Sequence, residues 1–168
     1  KRLIHFNSSG RLNFQEGEFD PILNKMFDHS KEHYSTMRIP YPFDYKAQCP
    51  LWLKTLLEIF EGSQGKIDAL QEFFGYCLTT KNNQKKALLL LDESDSGKST
   101  ILFILRAMVG DFNCSSVQLV NLKNTVFTPQ LMNKLVNIDA DVAKDAENYE
   151  AQFKLITSNE PIQCNQKY

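Results

Sequence analysis

The order of apolar segments in the second half of the chain predicts an α/β fold with a parallel sheet. Residues 87–91 form a continuous apolar run that is too short for a helix and is typical of a strand buried on both faces. A helical pattern follows over residues 99–109, with Gly110 as its C-terminal cap. The apolar residues 135–138 predict a second buried strand. Strand, loop, helix and strand in this order are typical of a parallel sheet covered by helices.

The beginning of the chain predicts a small β-meander. Residues 3–6 and 11–14 have the composition of short strands, and the polar residues 7–10 between them indicate a hairpin turn. A second turn is expected at residues 16–17. Residues 20–50 are expected to be irregular because prolines interrupt them repeatedly.

A helical segment is predicted to follow the meander. Pro50 suits a first helical position, and apolar residues at helical spacing continue to a stop at Gly62. The same spacing recurs over residues 67–78, and residues 148–156 predict another helix near the end of the chain. We interpret the apolar positions of the first two helices as core: Leu51, Trp52, Leu56, Ile59, Phe60, Ile67, Leu70, Phe74 and Cys77.

Length and composition limit the classes of protein that fit. The chain of 168 residues, with 42% apolar and 23% charged residues, has globular composition. A net charge of −1 gives no global indication of nucleic-acid binding. No apolar run approaches the roughly 18 residues of a membrane span, and no cysteine pair has the spacing of a zinc site. Scattered cysteines favour a reducing cytoplasm, and the missing initiator methionine suggests a piece of a longer protein.

The chain is predicted to have two parts. Residues 1–80 contain the meander and the helical segment, and residues 81–168 contain the α/β core. The polar, basic stretch at residues 81–86 is interpreted as a linker exposed to solvent.

The loop before the third predicted helix has the pattern of a phosphate-binding loop. In such loops, consecutive backbone N–H groups and a helix N-terminus bind the β-phosphate. A lysine contacts the β- and γ-phosphates, and the following hydroxyl binds Mg²⁺. Lys98 is therefore the candidate phosphate lysine, Ser99 the candidate Mg²⁺ ligand, and Thr100 a supporting residue. The candidate nucleotide-binding residues are Asp92, Glu93, Ser94, Asp95, Ser96, Gly97, Lys98, Ser99 and Thr100.

One position of this loop departs from the pattern. Asp92 stands where a glycine is expected, and aspartate tolerates positive φ better than most residues. The carboxylates of Asp92, Glu93 and Asp95 repel a triphosphate unless they point outward or Mg²⁺ intervenes. We therefore predict weaker nucleotide binding than a glycine-rich loop gives. The alternative is a polar strand-to-helix turn with a serine at the N-cap.

An acidic motif follows the second predicted strand. An NTPase of this class needs one carboxylate that orients Mg²⁺ and an acid that positions or activates the attacking water. Asp139 is assigned to Mg²⁺ and Asp141 to the water, although Ala140 separates two acids that are usually adjacent. The candidate catalytic residues are thus Lys98, Asp139 and Asp141, and the candidate metal ligands are Ser99 and Asp139. The alternative is a strand end exposed to solvent.

The ordered set of motifs resembles the helicase part of phage, plasmid and poxvirus primase–helicases. These are superfamily 3 helicases within the AAA+ ATPases. The resemblance covers nearly the whole chain. It rests on "IHFNSSGRLNFQEGEF", "RIPYPFDYKAQCPLWLKTLL", "LQEFFGYCLTT", "LMNKLVNIDADV" and "FKLITSNEPIQCNQKY", together with the phosphate loop.

The resemblance implies an incomplete P-loop core of AAA+ type that binds ATP and Mg²⁺. It also implies a homo-oligomeric ring, a hexamer, around single-stranded DNA. A primase domain would belong to the parent chain, in the cytoplasm of a bacterium or a virus-infected host cell.

The resemblance also changes the interpretation of Asn159. By itself the Thr-Ser-Asn stretch resembles an ATPase sensor, but the family alignment places it on a Gly-Gly-Asp segment near the DNA-facing loops. Lys154 and Lys167 are then candidate DNA contacts. The sensor and the arginine finger would lie beyond Tyr168, so the chain alone is expected to hydrolyse ATP weakly or not at all.

Three alternatives stay open from the sequence. Asp92 and Ala140 favour a nucleotide-binding or assembly module that no longer hydrolyses ATP. The acidic loop is the argument for a folded domain without any nucleotide role. A separate DNA-binding module is less favoured because the sequence has no basic stripe.

Overall fold

The chain folds as a mixed α/β structure, as expected. The computed structural model describes residues 9–91, 96–124, 126–140, 142 and 150–158. Within these residues, three antiparallel strands form one sheet and two parallel strands form another. The elements in chain order are β1 (Leu12–Asn13), β2 (Glu18–Asp20), β3 (Lys25–Phe27), α1 (Pro50–Ile59), α2 (Gln64–Cys77), α3 (Lys98–Val109), β4 (Cys114–Ser115), β5 (Val136–Asn137) and α4 (Glu150–Thr157).

The antiparallel sheet is a meander in the order β1-β2-β3. Leu12 lies opposite Phe19, and the Phe14 N–H donates to Gly17 O (2.8 Å), which closes the predicted second turn. The predicted strand at 11–14 is therefore confirmed in its central part. The expected strand at 3–6 and most of the turn at 7–10 lie outside the described residues.

The prediction that residues 20–50 are irregular is wrong at β3. This strand pairs antiparallel with β2, with Met26 opposite Phe19. Three residues are too short to show an alternating pattern, so the strand is recognisable only from its partner. A second small core is formed around the sheet by Phe14, Phe19 and Ile39.

Helices α1 and α2 confirm the predicted helical segment. Pro50 occupies the first turn of α1, where its missing N–H removes no helical hydrogen bond. The four apolar positions predicted for the second helix are all buried in α2. They belong to the main core cluster, which consists of Leu56, Ile67, Leu70, Phe74, Cys77, Ile101, Leu105, Val109, Cys114 and Ile138. This cluster joins residues of α1 and α2 to residues of α3, β4 and β5.

The parallel pair consists of β4 and β5, with Cys114 opposite Val136 and Ser115 opposite Asn137. The prediction of a strand at 135–138 is confirmed over Val136–Asn137, and Ile138 is buried directly after it. Its partner β4 was not predicted, because two residues carry no periodic signal.

The prediction of a buried strand at residues 87–91 is wrong. These residues have no strand assignment, and Leu89 and Leu91 are 63% and 81% exposed. Only Leu90 packs against the main core cluster. A strand buried on both faces needs a neighbour on each edge and a covering layer on each face. Among the described residues, neither β4 nor β5 pairs with this segment.

The two remaining helix predictions are confirmed where the structure describes them. α3 ends at Gly110, whose N–H donates to Arg106 O (2.9 Å). α4 begins at Glu150, so the first two residues of the predicted helix lie outside the described part. In the described part of the chain, no helix has the length and apolar character that crossing a membrane requires.

Candidate functional site

Gly97 forms the N-cap of α3 and has a left-handed backbone, with φ 84° and ψ 3°. Its carbonyl accepts the first helical hydrogen bond, from the Ile101 N–H (3.0 Å). A positive φ is cheap for glycine and strained for residues with a Cβ. The serine N-cap of the alternative interpretation is therefore wrong, because the N-cap of α3 is Gly97. The polar strand-to-helix turn itself stays an open alternative to a phosphate loop.

Close packing is a second, independent reason for glycine at this position. A Cβ atom built on Gly97 would lie 2.6 Å from Ile59 Cδ1 and 2.7 Å from Ile59 Cγ1. The side chain of Ile59, the last residue of α1, thus occupies the space that any larger residue would need. Helical spacing predicts a core position for Ile59 but gives no indication of this contact.

The signature residues after Gly97 form the first turn of α3. Lys98 is half-buried, and its Nζ donates to Ser96 Oγ (2.8 Å). Ser99 and Thr100 are exposed. The ammonium group is therefore held back over the start of the helix, close to the loop. The predicted loop residues Asp92, Glu93, Ser94 and Asp95 lie outside the described residues.

The apolar face of α3 fixes the position of this helix start. Ile101, Leu105 and Val109 recur at helical spacing and are between 0% and 2% exposed. They anchor the helix in the main core cluster. The backbone N–H groups of the first turn, which have no partner inside the helix, are thus presented from a rigid element.

Asp139 lies just after β5 and is half-buried. Its Oδ2 accepts a hydrogen bond from the Leu119 N–H (2.9 Å). This bond fixes the orientation of the carboxylate at the carboxyl end of the strand, which is where open α/β sheets place their ligands. Asp141, the other acid of the motif, lies outside the described residues.

Asn137 is a structural residue of this strand end that sequence analysis missed. Its Oδ1 accepts from the Val117 N–H (2.8 Å) and from Ser115 Oγ (2.8 Å), and its Nδ2 donates to Val117 O (2.8 Å). Through these bonds the side chain continues the pairing between β4 and β5. The sequence did offer a signal for this role, because Asn137 lies inside a predicted buried strand. A buried amide without hydrogen-bond partners is costly, so its side chain was bound to be paired.

A cavity of about 420 Å³ lies beside β5. None of the described phosphate-loop residues lines it. Two of its polar wall residues are already paired, because Tyr76 Oη donates to Asn82 Oδ1 (3.3 Å) and Asn82 Nδ2 donates to Ile156 O (3.0 Å). Its other walls combine apolar side chains, such as Phe73, Leu88, Leu90 and Leu102, with polar ones that include Lys81, Lys86, Lys134 and Asp139.

Lys154, the described candidate for a DNA contact, lies on α4 and forms an ion pair with Glu150 one turn earlier. The pair lowers the pKa of Glu150, first through the side-chain hydrogen bond and then through the positive charge. Both side chains are about 70% exposed, 73% and 69%, so the pair is worth little and can open for another anion. Lys167 lies outside the described residues.

Preassembled metal sites are not found among the described residues, since no group of three or more His, Cys, Asp or Glu side chains could hold an ion there. Ser99 and Asp139 would fit the nucleotide-bound Mg²⁺ of a phosphate loop, where triphosphate and water oxygens supply most ligands.

Comparison with known proteins gives one family match. The model of a family of unknown function (DUF5906) matches residues 90–168, which include both Lys98 and Asp139. No curated protein matches the chain. The phosphate-loop signature and the acidic motif thus fall within one matched stretch.

Proposed function

We propose that the chain binds a nucleoside triphosphate with Mg²⁺ at the start of α3, as part of a P-loop core of AAA+ type. The observation that carries this proposal is the left-handed Gly97 immediately before Lys98, Ser99 and Thr100. A positive φ at this point directs the following N–H groups toward one place, where a phosphate can accept them.

The described side chains suit the roles that the loop requires. Lys98 would bind the β- and γ-phosphates after leaving Ser96 Oγ, and Ser99 would hold Mg²⁺. Asp139 would orient the metal from the end of β5, in the orientation that the Leu119 N–H fixes. Asp141 would position the attacking water.

At the level of the whole protein, we propose an ATP-driven DNA helicase of the primase–helicase type, in the cytoplasm. The support is the ordered set of motifs along the chain. A ring of subunits around single-stranded DNA would place ATP between neighbours, and the adjacent subunit would supply an arginine. Lys154 and Lys167 would contact the DNA backbone, which makes binding depend on salt.

The binding proposal is tested by titrating the chain with a fluorescent ATP analogue and Mg²⁺. Lys98→Ala is expected to weaken binding by about 10- to 100-fold, since a hydrogen bond to a charged group is lost. Lys66→Ala, at an exposed position of α2, is the matched control and should bind as the parent does. Equal binding by the parent and Lys98→Ala would contradict the role of the loop.

A module that binds ATP without hydrolysing it is the second candidate. Ala140 favours it, because this residue separates Asp139 from Asp141 where adjacent acids are usual. In the full-length protein, a working Asp141 predicts that Asp141→Asn abolishes turnover and leaves ATP binding unchanged. Normal turnover by this variant would show that Asp141 is not the water-positioning acid. A parent protein that binds but never turns over would favour the second candidate.

A further inference from the structure

One close contact of the candidate site comes from a residue outside both the phosphate-loop signature and the acidic motif. Ile59 comes from the C-terminal end of α1, well before the phosphate loop in the chain. Its Cδ1 and Cγ1 would meet a Cβ on Gly97 at 2.6 Å and 2.7 Å, while its Cγ2 would lie at 3.7 Å. The Ile59 side chain therefore packs directly on Gly97, the left-handed residue that leads from the predicted loop into α3.

The end of α1 is itself held in place. Leu56, one turn before Ile59, is fully buried, and Trp52 stacks on Phe74 of α2 with ring centroids 6.1 Å apart. After the helix, the Gly62 N–H donates to Leu57 O (2.8 Å), which closes the final turn. The backbone that carries Ile59 is therefore held by the buried Leu56 on one side and by the closing hydrogen bond of Gly62 on the other.

We propose that Ile59 is a positioning residue for the phosphate loop. Resting on the proposed function, this role links α1 to nucleotide binding. The side chain limits the space behind Gly97 and so holds its backbone in the left-handed conformation. That conformation sets the direction of the N–H groups that follow. Removing this side chain leaves the loop free to sample other conformations, and the phosphates must then reorder it on binding.

The contact itself is tested without nucleotide, by a double-mutant cycle with Gly97→Ala and Ile59→Ala. Gly97→Ala introduces both a strained φ and a clash, and truncating Ile59 relieves only the clash. We expect the change in the unfolding equilibrium constant caused by Gly97→Ala to be on the order of tenfold smaller in the Ile59→Ala background. Additive effects in urea unfolding would overturn the contact and the proposal.

The positioning role is tested by titration with the fluorescent ATP analogue and Mg²⁺, at a temperature where every variant is folded. Ile59→Ala should raise Kd by about 2- to 30-fold, and Ile59→Val should restore part of the loss. Leu70→Ala is the control, because Leu70 is buried in α2 and is not among the atoms nearest the Gly97 Cβ position. It should lower stability at least as much and leave Kd unchanged.

The outcomes separate this role from the proposed function. If the parent binds and Ile59→Ala has the parent Kd, the positioning role is overturned and the proposed function stands. The role is likewise overturned if Leu70→Ala raises Kd as much as Ile59→Ala does. If the parent does not bind the analogue, the proposed function fails and the role fails with it, while the double-mutant cycle still reports on the contact.

Discussion

Glycines bracket α3, and each has a positive φ in a crowded place. Gly97 precedes the helix with φ 84°, and Gly110 follows it with φ 87°. A Cβ on Gly110 would lie 2.7 Å from Pro40 Cδ and 2.8 Å from Pro40 Cγ. The rigid proline ring cannot move aside as a flexible side chain would. Both ends of the helix that carries the candidate site therefore depend on the absence of a side chain.

Replacing Gly110 by alanine should lower the stability of the fold, whereas the same substitution at Gly75 should raise it. Gly110→Ala combines strain at positive φ with overpacking, and we expect a loss of roughly 1–3 kcal/mol in the free energy of unfolding. Gly75 lies in α2 with nothing within 4 Å of its Cβ position. Gly75→Ala should stabilise the chain by roughly 0.5–1 kcal/mol.

Urea denaturation of the two variants beside the parent measures both effects. The opposite signs are the expected result. Equal effects of the two substitutions would show that the packing against Pro40 and the positive φ at Gly110 carry little energy.

At the scale of elements, α1 connects the main core cluster to the candidate site. Its inward face contributes Leu56 to the main core cluster, and its last residue contacts Gly97. The expectation that Leu51 lies in the core is wrong, because this residue is 77% exposed on the other face of α1, beside Leu57 at 46%. The helix is thus held by a narrow set of contacts, so neighbouring leucines should differ greatly in what they contribute to the free energy of unfolding.

Leu56 and Leu57 test this difference, because the same substitution is made at two neighbouring positions of α1 that differ in burial. Leu56→Ala leaves a cavity in the core and should lower the free energy of unfolding by about 2–5 kcal/mol. Leu57→Ala removes a half-exposed side chain and should change it by about 0.5 kcal/mol or less. Urea denaturation of both variants checks the difference, and similar losses would contradict the burial of Leu56.

At the scale of the whole molecule, one core joins the helical segment to the α/β part. Cys77 of α2 and Cys114 of β4 meet in the main core cluster. Burial, and secondly the neighbouring Cys114, raises the pKa of the Cys77 thiol from 9.0 to about 12. Burial also raises the pKa of Cys114. Cys49, in contrast, is exposed just before α1.

Thiol labelling should follow this division. A maleimide at neutral pH should modify Cys49 in the native chain and leave Cys77 and Cys114 unmodified until urea unfolds the core, because buried protonated thiols are unreactive. Peptide-resolved mass spectrometry reports each site separately. Rapid native labelling of Cys77 would show that the junction between α2 and β4 opens easily.

The raised pKa of the Cys77 thiol also predicts that the chain loses stability at alkaline pH. A thiol whose pKa is higher in the folded chain than in the unfolded chain contributes stability that is complete below about pH 9 and is lost as the pH rises toward 12. The free energy of unfolding should therefore fall over this range. The fall should be less steep in Cys77→Ala, and identical pH profiles of the two proteins would contradict the assignment.

Sequence patterns located the helices and the loop signature well because both are local. Pro50 at the start of α1, the four buried positions of α2 and Gly110 after α3 are features of neighbouring residues, whose conformation depends on spacing and backbone freedom. The acidic residue Asp139 was found by its place after an apolar run. Asp92 to Asp95 and Asp141 stay predictions, as do ATP, Mg²⁺ and DNA as ligands.

Strand pairing was predicted poorly because it depends on partners far away in the chain. β3 and β4 are too short to be recognised alone. Residues 87–91 have a strand-like composition but pair with no described strand. An apolar run indicates only that its side chains prefer burial, and it does not indicate which strand it pairs with.

The sequence by itself determined the helical segment, the mixed α/β class and the position of the glycine, lysine and hydroxyl signature at the start of α3. Only the tertiary structure decided that β4 is the partner of β5, that Asn137 ties the loop after β4 to this strand end, and that Ile59 packs on Gly97. Helical periodicity and capping are set by residues within a few positions of one another. Contacts between distant segments are instead selected by the packing of the whole chain.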